Sequence, residues 1–194
     1  RLGAIRSRHL ALGLPDPLAD MDRVWWALEG HKRRWGKVTR KRPVTINMLR
    51  WIFKGLDVEF TLDDSIVWAA LMLAFFFLLR ASEYVHSDSP SQIKGRGLHG
   101  NDLQPLQDGA STKRFKDADE VVLRIRGSKT DQLNLGEFRN HFKAQDATLC
   151  VVQALSWVQG LAPERFEEEA DLPLCRWSSG ELIRREQILS LIHI

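Results

Sequence analysis

Two side chains in separate segments are the candidates for chemistry, and the first is Arg80. It follows the apolar run Ile66–Leu79, which is fourteen residues long. Because an unpaired buried charge costs several kcal/mol, the guanidinium must pair with a carboxylate or face an anionic ligand. Spacing alone favours a helix-terminal arginine that is satisfied by main-chain carbonyls and by Glu83, one helical turn further on.

The second candidate is Lys129, in the sequence GSKTDQ. The preceding EVVLRIR places apolar side chains at alternate positions, which predicts a strand. Gly127 and Ser128 supply a turn, and DQLNL is predicted to be the returning strand of a hairpin. Lys129 then lies at the hairpin tip, where its ammonium either donates a proton into a neighbouring site or is simply solvated.

A buried helix is the element that must position Arg80. Thr61 and Asp64 predict a capping box at its start, and the helix is predicted to run to about Tyr84. The run Ile66–Leu79 is apolar on every side, so it must be packed all round and form the centre of the core. Fourteen apolar residues are too few to cross a bilayer, and a soluble protein without membrane contact is expected.

The remaining elements are predicted to be mostly helical. Helices are expected in GAIRSRHLALGL, in RVWWALEGHKRRW, in INMLRWIFKGL with Thr45 as its cap, and in TLCVVQALSWVQGL with Thr148 as its cap. Residues 86–118 are predicted to be a long loop with at most a short strand, and ERFEEEAD a solvated turn. The predicted fold class is α+β, mainly α with a small β-hairpin or sheet.

Charge is distributed unevenly along the chain. Residues 1–54 contain 13 Lys/Arg and 4 Asp/Glu, a net charge of +9, whereas the other 140 contain 15 and 21, a net charge of −6. The basic side chains are densest in HKRRWGKVTRKR, and they predict contact with a polyanion such as nucleic acid. These residues are Lys32, Arg33, Arg34, Lys37, Arg40, Lys41 and Arg42. The alternatives are a solvated charged linker or a nuclear-import signal.

Cysteine content argues against a metal or disulfide framework. Cys150 and Cys175 are the only two cysteines, and their spacing matches neither a zinc site nor a disulfide-rich domain. We therefore expect neither a zinc site nor a disulfide framework, and a reducing intracellular compartment.

Taken together, three motifs resemble one family. FFFLLRASEYV, followed by VVLRIRGSKTDQ and then LCVVQAL, resembles the catalytic domain of the tyrosine recombinases, the phage integrase family, in the type carried by eukaryotic mobile elements. The upstream sequence resembles the end of that family's helical core-binding domain and its linker. The resemblance covers the chain as far as Gln187, and it implies a division into residues 1–42 and residues 43–194.

The resemblance implies a reaction on double-stranded DNA that needs no metal and no cofactor. In that family a tyrosine attacks the scissile phosphate and forms a 3′-phosphotyrosyl link, which leaves a free 5′-hydroxyl. Arg80 matches the first arginine, which binds the non-bridging oxygens, and Lys129 matches the general acid for the departing oxygen. Glu83 matches a supporting acidic position beside the arginine.

The resemblance also fails at defined points. The chain contains no His-x-x-Arg motif, and its one tyrosine, Tyr84, lies at a position that is not catalytic in the family. Tyr84 is predicted to serve in packing or local hydrogen bonding. The chain is therefore predicted to be a fragment of a recombinase, cut at both ends and unable to cleave DNA, in which residues 189–194 are foreign to the protein.

The resemblance also implies an assembly state and a location, and two other functions are alternatives to it. The parent is expected to act as a tetramer on DNA, in the nucleus if the source is eukaryotic, whereas this fragment is expected to be a monomer. The main alternative is a non-enzymatic DNA-binding relic or domesticated recombinase. A further alternative is a helical interaction domain whose basic arm binds a protein or RNA.

Overall fold

The computed structural model of the 194-residue chain describes residues 2–35, 43–85, 97–126 and 136–192. The chain divides into two compact units, Arg1–Pro43 and Val44–Ile194. This division falls one residue beyond the boundary that the sequence predicts.

The first unit consists of two helices, α1 (Leu2–Ala11) and α2 (Asp22–Trp35). The Arg6 guanidinium bonds the Asp16 carboxylate at 2.8 Å and ties α1 to the turn that follows it. No residue of these two described helices is buried. Both helices match the predicted segments, but neither contributes to a packed core in the residues described.

The second unit is α+β. Its helices are α3 (Ile46–Phe53), α4 (Leu62–Phe76), α5 (Ala81–Tyr84), α6 (Val151–Leu161) and α7 (Arg185–Ile192). Its strands are β1 (Leu103–Gln107), β2 (Ala110–Ser111), β3 (Glu120–Ile125) and β4 (Glu137–Phe142). They form one antiparallel sheet in the order β2-β1-β3-β4. Short 3-10 turns lie at Gly100–Asp102, Phe115–Asp117, Ala147–Leu149 and Pro163–Phe166.

Helix α4 is the centre of the core. Every residue from Ser65 to Leu73 is buried, so the predicted all-round packing is confirmed over that stretch. α4 packs against α6, whose predicted inner face is fully buried, and against aromatic side chains such as Phe53, 5.0 Å from the Trp68 ring. A helix that is apolar on all sides can be stable only in such surroundings.

The C-terminus of α4 differs from the prediction. The helix ends at Phe76 rather than near Tyr84, because Leu78 adopts a left-handed conformation with φ of 55°. The Leu79 N–H then donates to the Ala74 carbonyl at 3.0 Å. This is the 6→1 hydrogen bond of a Schellman motif. An unbroken apolar run does not indicate this ending, since glycine usually occupies the left-handed position.

Three predicted helix caps have different outcomes. Thr45 caps α3 as predicted, accepting from the Met48 N–H at 3.3 Å. Among the described residues the Thr61 side chain makes no capping hydrogen bond, and Asp64 accepts from the Asp57 N–H instead, so the predicted capping box is wrong. The cap of α6 is Cys150 rather than Thr148, which lies in the preceding 3-10 turn.

The sheet confirms the predicted strand β3 and corrects part of the loop predicted for residues 86–118. Strand β3 alternates as predicted, with Val121, Leu123 and Ile125 buried. Strand β4 returns antiparallel beside β3. The predicted returning strand DQLNL, residues 131–135, lies outside the described part of the chain. Strands β1 and β2 lie within the segment predicted to be a loop. Short mixed-polarity strands of this kind have too weak a period to be recognised.

The acidic segment ERFEEEAD is also only partly a solvated turn. Arg165 within it is 3% exposed, and its guanidinium donates to the carbonyls of Leu174 and Arg176 at 2.9 and 2.7 Å. Burial lowers the pKa of this guanidinium from its usual value. The prediction is wrong at Arg165 because the charge of a segment does not indicate which of its side chains will donate to buried main-chain carbonyls.

Within the described ranges, no helix combines the length and the apolar character needed to cross a membrane.

The left-handed turn at Leu78 gives a stability prediction. Leu78→Gly should raise the free energy of unfolding by about 1 kcal/mol, because glycine adopts positive φ without the side-chain clash. Little packing is lost, since the Leu78 side chain is 80% exposed. Urea unfolding followed by tryptophan fluorescence measures the change. Leu161→Gly, at the end of α6, is the matched control and should destabilise; equal losses for both variants would contradict the argument.

Candidate functional site

Arg80 lies four residues beyond α4, at the N-cap of α5. Its backbone N–H donates to Glu83 Oε2 at 2.9 Å, and its Nη1 donates to Glu83 Oε1 at 3.1 Å. The side chain of Arg80 is 56% exposed, whereas that of Glu83 is 7% exposed. A buried carboxylate therefore holds the main chain and the guanidinium of the same arginine, while about half of the arginine side chain still faces solvent.

These contacts correct one detail of the sequence argument. The sequence places Arg80 at the end of the core helix, either emerging from the densest packing of the chain or lying within it. It instead follows the left-handed turn that ends α4 and points partly into solvent. The carboxylate partner is Glu83, as the helix-terminal alternative requires. The pairing leaves the guanidinium accessible, so it is compatible with either role.

A narrow cleft borders Glu83. We call it the Glu83–Asp102 cleft, after the two carboxylates in its wall. Its remaining lining residues are Leu79, Leu98, Leu123, Arg124, Ile125 and Arg126. The cleft therefore connects the turn that carries Arg80 with the last residues of β3, from which the chain continues towards Lys129.

Arg126 and Asp102 form a second arginine–carboxylate pair at this cleft. Arg126 Nε lies 2.8 and 2.7 Å from the two Asp102 oxygens, and its Nη2 donates to the Asn101 side-chain oxygen at 2.7 Å. The Asp102 side chain is 1% exposed and also accepts from the His99 N–H at 2.9 Å. Like Glu83, Asp102 closes a capping box and holds an arginine with the same carboxylate.

The predicted general acid cannot be placed. Lys129 lies outside the described residues, as do Lys37, Arg40, Lys41 and Arg42 of the basic segment. The structure therefore leaves the juxtaposition of Arg80 and Lys129 a prediction.

The described part of the basic segment is the last turn of α2. Lys32, Arg33 and Arg34 all lie there and are exposed. Arg33 pairs weakly with Glu29 at 3.4 Å, and the Arg34 guanidinium carbon lies 5.6 Å from the centre of the Trp35 ring. Such pairs at an exposed surface are worth little energetically, so the three cations are accessible to another anion.

Tyr84 is a packed core residue, as predicted. It is 6% exposed and lines an open apolar groove of about 360 Å³ together with Leu49, Leu71 and Phe75. Burial, and secondarily the nearby Cys175, raises the pKa of Tyr84 from 10.0 to about 12, against the opposing charge of Arg185. A phenol that is buried and difficult to ionise is poorly suited to attack a phosphate.

Within the part of the chain that the structure describes, no cluster of His, Cys, Asp or Glu side chains could hold a metal ion. Cys150 and Cys175 are both free thiols and buried. Burial raises the pKa of Cys175 to about 12, which makes it inert as a nucleophile.

The sequence pattern does not predict the ion pair between Arg126 and Asp102. The alternation of β3 correctly indicates that Arg126 points away from the core side, but no local spacing connects it with Asp102, 24 residues earlier. The available signal is an acidic residue, Asp102, immediately before the apolar start of β1, where a buried carboxylate needs a cation.

Comparison with protein-family models, with curated proteins and with solved structures finds no match to this chain.

The environment of Tyr84 predicts an unusual titration. Because Tyr84 is the only tyrosine, ultraviolet absorbance near 295 nm reports its ionisation alone, and the midpoint of the folded protein should lie near 12. In guanidinium the midpoint should return to about 10. The folded pKa exceeds the unfolded one, so this contribution to stability is complete below about pH 10 and is lost as the pH rises through about 12.

Tyr84→Phe is the control for this titration. It should remove the absorbance change and reduce the loss of stability above pH 10, leaving the part due to Cys175. A native midpoint near 10 would show that Tyr84 is solvated and would contradict its placement.

Proposed function

We propose that this chain is the DNA-binding part of a tyrosine recombinase, in which Arg80 binds the scissile phosphate and Lys129 protonates the departing 5′-oxygen. The substrate is double-stranded DNA, and no metal or cofactor takes part. The chain itself binds DNA without cleaving it, because it contains no His-x-x-Arg motif and its one tyrosine is buried.

The observation that carries the proposal is the geometry of Arg80. A buried carboxylate fixes both its backbone and its guanidinium, and 56% of the side chain remains exposed. A cation held in this way loses little further freedom when it binds a phosphate, and it can stabilise negative charge that grows on the non-bridging oxygens.

The short stretch of chain between Arg126 and Lys129 also supports the proposal. Arg126 lines the same cleft as Glu83, and Lys129 is the third residue after Arg126 along the chain. Three extended residues span at most about 10 Å. A lysine side chain adds several further ångströms, so covalent geometry limits how far the ammonium can lie from the Glu83–Asp102 cleft.

The basic segment supports a DNA partner for the whole chain. Three of its cations are exposed on the last turn of α2, and four more follow within eight residues. Phosphate contacts supply most of the affinity of proteins for DNA, and a cluster of this density is suited to them.

A specific observation also favours a second candidate, a non-catalytic DNA-binding protein. Tyr84 is buried, and its pKa is raised to about 12, so the only tyrosine of the chain cannot act as the nucleophile. A relic of a recombinase would retain the cations without the chemistry. In that case Arg80 would contribute no more to binding than any other surface arginine.

Salt dependence tests both candidates. The chain should bind duplex DNA with an affinity that falls steeply with salt, and Arg80→Ala should reduce the slope of log K against log salt by about 0.9, the value for one phosphate contact. Arg50→Ala is the matched control, because Arg50 is also about half exposed and paired with one carboxylate, Asp146. Fluorescence anisotropy with a labelled duplex measures the slopes.

The two outcomes are distinct. Equal slopes for the Arg80 and Arg50 variants would favour the relic over the recombinase site. The absence of salt-dependent DNA binding in the unsubstituted chain would contradict both candidates.

Cleavage provides a separate prediction. A duplex with a bridging phosphorothiolate traps a covalent phosphotyrosyl intermediate, and the purified chain should form no such adduct, since residues that act as a unit fail together. Denaturing electrophoresis measures the adduct. A covalent product on Tyr84 would overturn the assignment of this residue to the core.

A further inference from the structure

We propose that strand β4 is the contact surface for a second copy of this chain, in a two-fold dimer in which the two β4 strands pair antiparallel. The proposal goes beyond DNA binding and does not depend on it. It departs from the monomer that the sequence predicts. Three observations carry it: the open edge of the sheet, the aromatic side chains along that edge and the charges at its two ends.

The main chain of β4 has one open edge. β4 is the last strand in the sheet order, and among the described residues no further strand pairs with it. The Lys143 N–H donates to the Asp119 carbonyl at 2.7 Å, and the main-chain groups of an antiparallel strand face alternately to its two sides. Those of Phe138, Asn140 and Phe142 therefore face away from β3. An edge of this kind is a template for another strand.

Two large apolar side chains are exposed on the same strand. Phe138 is 70% exposed and Phe142 is 63% exposed. Together with Asn140 they lie on the face of the sheet that points away from the core. Edge strands that must stay unpaired usually carry lysine, proline or a bulge, which prevent the approach of another strand. Exposed phenylalanines at both ends of the open edge instead favour pairing.

A second copy of β4 is complementary to this edge in one register. A two-fold axis at Asn140 places Phe138 opposite the partner's Phe142, and Glu137 opposite the partner's Lys143. Each phenylalanine then gains an aromatic neighbour and each acidic side chain a basic one. Cross-strand pairs of both kinds stabilise antiparallel strands. Because the axis repeats every contact, the strand is complementary to itself, as a two-fold interface requires.

Charge and aromatic contacts select this register over its neighbours. Moving the axis by one residue in either direction places both phenylalanines opposite residues that are not aromatic. An axis at Arg139 also places two guanidinium groups opposite each other, and like charges in that position destabilise a strand pair. The Glu137 side chain is 63% exposed and Lys143 is exposed, so both are accessible to the opposite charge of a partner.

Sedimentation velocity of the full chain, without DNA, tests the surface. The chain should show a concentration-dependent equilibrium between monomer and dimer. Phe138→Lys should raise the dissociation constant about tenfold, because it removes an aromatic contact that occurs twice in the dimer. Phe60→Lys is the matched control and should leave the constant unchanged, since Phe60 is 79% exposed and lies in the turn before α4. Both side chains are exposed, and far-ultraviolet circular dichroism should show that both variants are folded.

A charge exchange tests the register. Glu137→Lys and Lys143→Glu should each raise the dissociation constant about tenfold, because each places like charges opposite each other at two points of the dimer. The double variant restores opposite charges at both points. It should therefore recover the dissociation constant of the unsubstituted chain.

Disulfide cross-linking locates the axis. Asn140→Cys should give a covalent dimer when diamide oxidises the two thiols, because hydrogen-bonded partners in antiparallel strands have Cα atoms about 5.5 Å apart. Gln104→Cys is the control, since Gln104 is exposed on β1 of the same sheet, and it should give no covalent dimer. The native Cys150 and Cys175 are buried, so the introduced thiol is the one that reacts.

Each outcome supports the proposal or overturns it. A chain that stays monomeric up to about 1 mM and does not cross-link at position 140 would contradict it. A dimer on which Phe138→Lys and Phe60→Lys have the same effect would use a different surface. A dimer that the charge exchange does not restore would rule out the register centred on Asn140. None of these measurements involves DNA, so their failure leaves the proposed function standing, and the failure of DNA binding leaves the dimer standing.

Discussion

The burial of α4 on all sides is the constraint on which the second unit depends. Its central residues from Ser65 to Leu73 expose almost no surface, so α6, the inner face of β3 and α3 must all pack around it. Arg80 is presented from the end of this helix, and the turn that presents it is fixed by main-chain bonds to α4 itself. The candidate site therefore adjoins the end of the buried core helix and does not lie on an isolated loop.

Two buried carboxylates at the site make the same pair of contacts, one to a main-chain N–H and one to an arginine. Glu83 and Asp102 each accept a main-chain N–H in a capping box and each hold an arginine. A carboxylate has enough lone pairs for both tasks, and the local turn fixes its position before it meets the guanidinium. Both arginines thus acquire a defined direction from a carboxylate that is itself held by the turn in which it lies.

The sequence predicts those parts of the second unit in which buried side chains recur with a clear helical or strand spacing. The core helix, the inner face of α6 and the alternation in β3 could be predicted because burial imposes a regular spacing on them. The end of α4 could not, since the apolar run continues past Phe76 and the left-handed residue is leucine. The pairing of Arg126 with Asp102 and the burial of Arg165 depend on residues distant in the chain or on main-chain acceptors, which leave no local pattern.

The bond from Arg139 Nη1 to the Phe77 carbonyl, 2.8 Å long, joins the end of α4 to the outer strand β4. The His141 ring lies against Phe76 and Phe77 in the same region, with centres 5.1 and 5.8 Å apart. Helix ends usually fray on their own at almost no energetic cost. Here the last turn of α4 cannot unravel without breaking these contacts to β4, so amide hydrogen exchange at this helix end is expected to be slower than at a free one.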